Sequence, residues 1–216
     1  VRSGRVRIWD LPTRLFHWLL LALVVTSFAT GKIGGNAMYW HMWTGYAILT
    51  LIVFRILWGL AGSHYALFST FVRGPREVLA ALRGGATPTA GHNPLGALSV
   101  LALLVVLLLQ AVTGLFANDD IATEGPLAKL VSGAFSALAT RIHAFNEYLI
   151  LSLVALHLAA IAFYFFVKRD NLVKPMLTGD KSGIDAPAAA DDRATRLRAA
   201  LLLALAVGLV SYVVNL

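Results

Sequence analysis

The 216-residue chain contains no cysteine. That excludes disulfides, thiolate metal sites, cysteine-ligated iron–sulfur clusters and haem attached through thioethers. Charge is scarce too: Asp, Glu, Lys and Arg make up 13% of the residues, against roughly 25% in soluble domains. A soluble domain of this length could not cover itself with so little charge, and a chain that is 58% hydrophobic is not disordered. Acidic residues are the scarcer sign, 11 against 18 basic, giving a formal net charge of +7. What the chain has in abundance is apolar sequence, with a mean hydropathy of +0.74.

A membrane helix needs about 20 mostly apolar residues. Five runs qualify, at about 15–30, 39–60, 95–117, 142–167 and 197–214. Asp10 and Pro12 predict a cap and a first-turn proline for the first. That run is broken by His17 and Trp18 and followed by no Ala-x-Ala site, so it reads as a retained span rather than a signal peptide. Thirteen of the 18 Lys and Arg residues lie before span one, between spans two and three, or between spans four and five, and Arg55 and Arg198 lie near the same ends of spans two and five; Lys32, Lys129 and Arg141 lie on the other side. The positive-inside rule then predicts a multi-pass membrane protein with its N-terminus cytoplasmic and its C-terminus on the outer side. The basic charge records topology, and nucleic-acid binding is excluded. Residues 118–140, with Asp119, Asp120 and Glu124, are expected as an outer loop, and 83–88 and 185–190 as inner linkers. The fold class expected is an all-α membrane protein. A four-helix core occupies residues 1–181, and a linker with an appended fifth transmembrane helix occupies 182–216. The fifth span has no ionisable residue in its apolar stretch, which suits packing, lipid contact or docking of a second copy or partner subunit.

Four of the six histidines lie in or at spans: His17, His41, His143 and His157. Ionisable groups in lipid are costly and normally face a partner inside the bundle. His143 and His157 are 14 residues apart, about 21 Å along a helix and within 40° of four whole turns, so they share one face at two depths. His41, at the start of span two, is level with His143; His17, 14 residues inward from Gly31, is level with His157. Two facing pairs of neutral imidazoles suit axial ligation of two haem irons. Zinc usually takes three or four protein ligands, and Glu147 is the only acid well inside a span. Gly45, Gly114, Ala144 and Ala155 allow close approach of a flat cofactor. The competing reading makes the histidines helix-packing groups in a haem-free anchor or scaffold. Arg55 is 14 residues from His41, hence on nearly the same face near the deeper pair; it either meets a haem propionate or snorkels to the inner interface. Arg14 is only three residues from His17, whereas Lys168 is 11 from His157. Either span one tilts, Arg14 reaches back, or span four projects beyond the bilayer.

The segments Val6-Arg7-Ile8-Trp9-Asp10-Leu11-Pro12-Thr13-Arg14-Leu15-Phe16-His17-Trp18, Phe54-Arg55-Ile56-Leu57-Trp58-Gly59, Phe71-Val72-Arg73-Gly74-Pro75 and Gly91-His92-Asn93-Pro94-Leu95-Gly96 resemble the bacterial cytochrome b561 family. That family includes the b-type cytochrome subunits of nickel–iron hydrogenases and is similar to the cytochrome subunit of formate dehydrogenase. The resemblance covers roughly residues 5–181. It implies a core with two non-covalent b-type haems, His17 and His157 holding the inner and His41 and His143 the outer. It further implies electron transfer between a periplasmic redox protein, such as a hydrogenase or a c-type cytochrome, and membrane quinone. His92 and Asn93 are then the quinone candidates, through imidazole and amide donors. His64 reads as an exposed or capping loop residue, and Trp9, Trp18, Trp40, Trp43 and Trp58 as interfacial anchors. A rival function keeps the haems but makes the chain a self-contained superoxide:quinone oxidoreductase. Lys129 and Arg141 would attract that anion, while Asp119, Asp120 and Glu124 oppose it. No catalytic side chain is assigned on either reading.

Overall fold

The computed structural model describes residues 4–83, 85, 89–121 and 123–216. Arg2, and residues 84 and 86–88 of the first expected linker, lie outside the described residues. A short strand β1 (Arg5–Arg7) precedes α1 (Leu11–Ile33), and a 3₁₀ turn at Gly35–Ala37 leads into α2 (Met38–Ala61). After a second 3₁₀ turn at His64–Ala66 come the short helices α3 (Phe68–Phe71) and α4 (Pro75–Leu82), then α5 (Pro94–Phe116). A third 3₁₀ turn at Ala128–Leu130 is followed by α6 (Gly133–Phe166), α7 (Val173–Thr178), β2 (Asp180–Ser182) and α8 (Arg193–Val214). The helices α1, α2, α5, α6 and α8 are long and apolar enough to cross a membrane. Helices are the expected form there, because hydrocarbon forces every backbone N–H and C=O to bond within its own segment.

The largest departure from the expected elements is the start of α6. The helix begins at Gly133, so the segment expected as loop to Thr140 is helical from there on. Its 34 residues extend about 51 Å, well beyond a hydrocarbon core about 30 Å thick. Arg141 cuts residues 133–140 off from the longer apolar run that follows, yet they are competent helix formers, and the Phe135 N–H is capped by the Ser132 hydroxyl at 3.3 Å.

The chain divides into two compact units. The first comprises Val1–Phe16, Arg55–Ala102 and Leu153–Leu202, and Asp10 is its polar centre. With 1% of its surface exposed, Asp10 accepts the Thr13 N–H at 2.6 Å, capping α1 as the sequence predicts. Its other oxygen accepts the Ser63 hydroxyl and the Trp58 indole N–H, and Trp58 also donates to the Thr13 hydroxyl at 3.2 Å. Trp58 and Trp9 are therefore buried, not interfacial anchors, whereas Trp18, Trp40 and Trp43 are exposed as expected. A buried indole N–H needs an acceptor, and Asp10 and Thr13 supply it.

The same unit ties down the second linker. β1 pairs antiparallel with β2, Val6 opposite Lys181. Gly179, at φ 91, ends α7 in the left-handed conformation that glycine adopts without strain. Its carbonyl accepts the N–H groups of Ile8 and Trp9 at 2.8 and 3.1 Å. Residues 185–190 then form a strap: Ala189 donates its N–H to the Arg7 carbonyl at 2.7 Å, and Tyr65 donates its hydroxyl to the Pro187 carbonyl at 2.8 Å. Ala189 packs with Ile8, Trp9 and Tyr65. At the end of the strap Asp191 accepts from Arg7 at 2.7 Å, Arg196 at 3.1 Å and the Leu11 N–H at 3.2 Å. Burial opposes its charge, but the Arg196 and Leu11 hydrogen bonds and the nearby Arg196 and Arg7 charges outweigh that and hold its carboxyl below the ordinary value.

The second unit comprises His17–Phe54, Leu103–Ser152 and Leu203–Leu216. Its apolar centre joins Leu49, Leu115, Leu127 and Val210, so the fifth span contributes Val210 to a packed cluster. The loop after α5 folds back on that helix, Gly125 and Leu127 donating to the carbonyls of Ala117 and Leu115 at 2.7 and 2.9 Å.

Two outcomes follow from the first unit. Asp10→Ala removes a cap, takes the acceptor from the buried Ser63 hydroxyl and takes one of two acceptors from the Trp58 indole N–H, so it should cost about 2–4 kcal/mol in a thermal or detergent unfolding assay. Because the Asp191 carboxyl sits below its unfolded value, its stabilisation is complete above that value and disappears as acid protonates the folded form. Protease access to the 185–190 strap should therefore be flat from pH 5 to 8 and rise only below about pH 4.

Candidate functional site

His41 stands one turn inside α2, and His143 ten residues into α6. Both belong to the second unit. Their rings lie 6.1 Å apart between centroids and close to perpendicular, at 82°. Each ring is held by a backbone carbonyl. His41 Nδ1 is 2.8 Å from the Ser27 carbonyl, and His143 Nδ1 is 2.9 Å from the Gln110 carbonyl. A carbonyl can only accept, so Nδ1 carries the proton in both rings and Nε2 is left with its lone pair. The Ser27 and Thr113 hydroxyls lie 3.3 Å from the same Nδ1 atoms.

Two glycines let the rings take these places. A Cβ on Gly31 would come within 2.9 Å of His41 Nδ1, and one on Gly114 within 3.0 Å of His143 Cε1. Gly45, one turn along α2 from His41, faces space in which a Cβ would meet nothing within 4 Å. Metal–nitrogen bonds of about 2 Å on opposite sides of one metal set two imidazole centroids roughly 6 Å apart. The donor atoms and spacing of His41 and His143 fit that arrangement. Among the described residues no group of three or more His, Asp or Glu is placed to hold a metal ion, so the pair has the donor number of an axial set rather than of a zinc site.

The polar surroundings continue along α6. Asn146, 1% exposed, donates to the Val106 carbonyl and to Gln110 Oε1, both at 2.8 Å. Glu147 forms an ion pair with Lys32 at 2.6 Å, which gives the one acid inside a span its partner. Ser27, Gly31, Gln110 and Asn146 carry no part in the sequence-based site. Gln110 and Asn146 had a signal, since each is a side-chain amide in an otherwise apolar stretch of helix.

The remaining expected site residues lie as follows. His17, in the second unit, meets Trp18 edge-on at 5.0 Å; His157, in the first, is half-buried on α6. The Arg14 guanidinium donates to the Leu177 carbonyl at 2.6 Å. Arg55 is 3% exposed and does not snorkel. It donates to the Ala66 carbonyl at 3.1 Å and lies over the rings of Phe68 and Phe71 at 5.1 and 5.9 Å. Gly59 makes room for that Phe68 ring, which a Cβ would strike. Among the described residues no carboxylate stands within ion-pair distance of Arg55. His92 packs between Trp9 and Phe71, each ring 4.7 Å away. Asn93 is engaged at both ends of its amide, capping α5 through the Gly96 N–H at 2.7 Å and donating to the Tyr164 hydroxyl. His64 is exposed on its 3₁₀ turn.

The sequence model of prokaryotic cytochrome b561 matches residues 8–179. No curated protein and no solved structure matches the chain. The match covers the elements from α1 to α7, including every histidine of the chain and the paired imidazoles of α2 and α6, and leaves β1, β2 and α8 outside it. With its five membrane-length helices, the chain belongs to the prokaryotic cytochrome b561 family, whose work is electron transfer in the membrane on b-type haem.

Proposed function

We propose that the protein carries electrons across the bilayer on two b-type haems, between a periplasmic redox protein and the membrane quinone pool. The observation that carries this reading is the His41–His143 pair, two imidazoles 6.1 Å apart with both Nδ1 atoms bonded to carbonyls. These two residues would hold the outer haem. His17 and His157 would hold the inner one, an assignment that rests on their spacing in the sequence. Bound at such sites, haem supplies a one-electron iron couple.

The chain's own contribution is to hold, orient and shield. The Ser27 and Gln110 carbonyls fix the tautomer and raise the basicity of each outer imidazole without adding charge. The Gly31 and Gly114 contacts set how far each ring turns. Arg55, a buried cation whose hydrogen-bond partner among the described residues is a neutral carbonyl, suits a haem propionate. His92 and Asn93, beside Trp9 and Tyr164, are the proposed quinone neighbourhood. The external partner is a hydrogenase or a c-type cytochrome by the family's pattern.

Residues 1–181 form the redox core in this reading, and 182–216 a linker and fifth helix suited to a second copy or partner subunit. The distribution of lysine and arginine supports a cytoplasmic N-terminus and a periplasmic C-terminus. Two haems follow from distance, since one cofactor does not bridge about 30 Å of hydrocarbon.

Haem quantification per polypeptide tests the reading. Wild-type protein should bind two, His41→Ala and His143→Ala should each lose the same haem, and His17→Ala and His157→Ala the other. One haem in the wild type, or retention of both in His143→Ala, overturns it. Gly114→Val should likewise lose the outer haem while keeping the inner, because the branched side chain must displace the His143 ring. An unchanged reduced spectrum in that variant would show that the glycine contact does not set the ring.

A further inference from the structure

We propose that Asn146, acting with Gln110, is a positioning residue that sets the rotation of α6 against α5 and through it the presentation of His143 Nε2. The inference rests on His143 being a haem ligand. Two donors one turn apart on α6 meet two carbonyls one turn apart on α5. His143 Nδ1 reaches the Gln110 carbonyl at 2.9 Å, and Asn146 Nδ2 reaches the Val106 carbonyl at 2.8 Å. The order of the pairs, 110 with 143 and 106 with 146, is that of antiparallel helices. Each carbonyl has two lone pairs and takes the α6 donor in addition to its helical bond; that of Gln110 also lies 3.1 Å from the Thr113 hydroxyl, whose nearer acceptor is the Leu109 carbonyl at 2.7 Å.

The two rungs are joined by a third contact, Asn146 Nδ2 to Gln110 Oε1 at 2.8 Å. A single hydrogen bond leaves a helix free to roll about it. Two bonds one turn apart, joined through one side chain, do not. A roll of α6 would swing the imidazole about its Nδ1 contact and change the direction of the Nε2 lone pair.

The arrangement carries a cost that indicates specificity rather than stability. Asn146 cannot turn its amide around, because Nδ2 already serves two acceptors. Its Oδ1 is left buried with no donor among the described residues. An unsatisfied buried oxygen is unfavourable, and an apolar residue of similar volume would not carry that penalty. Buried polar groups kept at such a cost are best attested where they fix register. In lipid, where helices gain nothing by hiding apolar surface from one another, polar contacts of this kind are a principal source of register.

The test uses the full chain with its haems in lipid nanodiscs, comparing wild type with Asn146→Leu, Gln110→Leu and the double variant. The readouts are haem content, the g-values of the low-spin electron paramagnetic resonance signals, the midpoint potential of the outer haem and the thermal unfolding midpoint. Asn146→Leu should keep both haems and lose no thermal stability, yet shift the g-values and the potential of the haem that His143→Ala removes. Gln110→Leu, which leaves the 110 backbone carbonyl in place, should shift the same signal. The double variant should shift it no further than the larger single change, because both act on one contact.

Unshifted g-values and potential in both single variants overturn the proposal, as does lowered stability with an unshifted signal, the signature of a purely structural contact. Additive shifts in the double variant also overturn it. If Asn146→Leu does not assemble, Gln110→Leu decides the matter by the same readouts. Retention of both haems by His143→Ala would be a different failure, that of the ligand assignment itself.

Discussion

An imidazole buried in a membrane helix must satisfy its N–H, and the group that does so decides which nitrogen remains a base. In this protein both groups are backbone carbonyls of neighbouring helices, those of Ser27 and Gln110. Much of the second unit answers to that constraint. α1 and α5 bring their carbonyls to the rings, and Gly31 and Gly114 let the rings lie close. Hydroxyls of Ser27 and Thr113 fill the remaining space around Nδ1. Neither carbonyl brings a charge to its ring, and each accepts the Nδ1 hydrogen bond, so Nε2 is the nitrogen left to meet a ligand.

The first unit solves a different problem with the same rule that buried polar groups are paired. Asp10 accepts from a helix N-terminus, a serine and an indole, and so joins the start of α1 to the end of α2. The segment around Arg7 does similar work for the end of the chain: strand pairing to β2, the Ala189 contact and the Asp191 ion pairs all converge on it. The motifs Trp9-Asp10 and Arg55-Ile56-Leu57-Trp58-Gly59 thus owe their residue types to mutual contacts. Trp58 needs Asp10 as acceptor, and Arg55 needs the Phe68 ring that Gly59 admits.

Histidine spacing was informative because helix geometry is regular. Fourteen residues return a side chain to one face whatever surrounds it, and α6 does run unbroken through both His143 and His157. The same regularity made the spans legible, since apolar length is a property of the sequence alone. The start of α6 was not legible, because Arg141 ends the apolar run, and capping and helix propensity decided what precedes it. Nor were the burial of Trp58 and the packing of the 185–190 strap. Each depends on acceptors and N–H donors distant in sequence, and tryptophan near a span end has the same local signature whether it anchors at the interface or fills a core.

The amino-acid sequence by itself determined the solvent, the number of membrane-length helices and the class of cofactor suited to the histidines. These follow from composition and from periods that hold along a single helix. Only the tertiary structure decided which nitrogen of His41 and His143 keeps its lone pair, that Asn146 and Gln110 stand behind one of those rings, and that Arg55 is buried under aromatic rings. These depend on where one helix meets another. A backbone carbonyl is present at every residue, so nothing in the residue names marks the one that will accept an imidazole proton until the helices are packed.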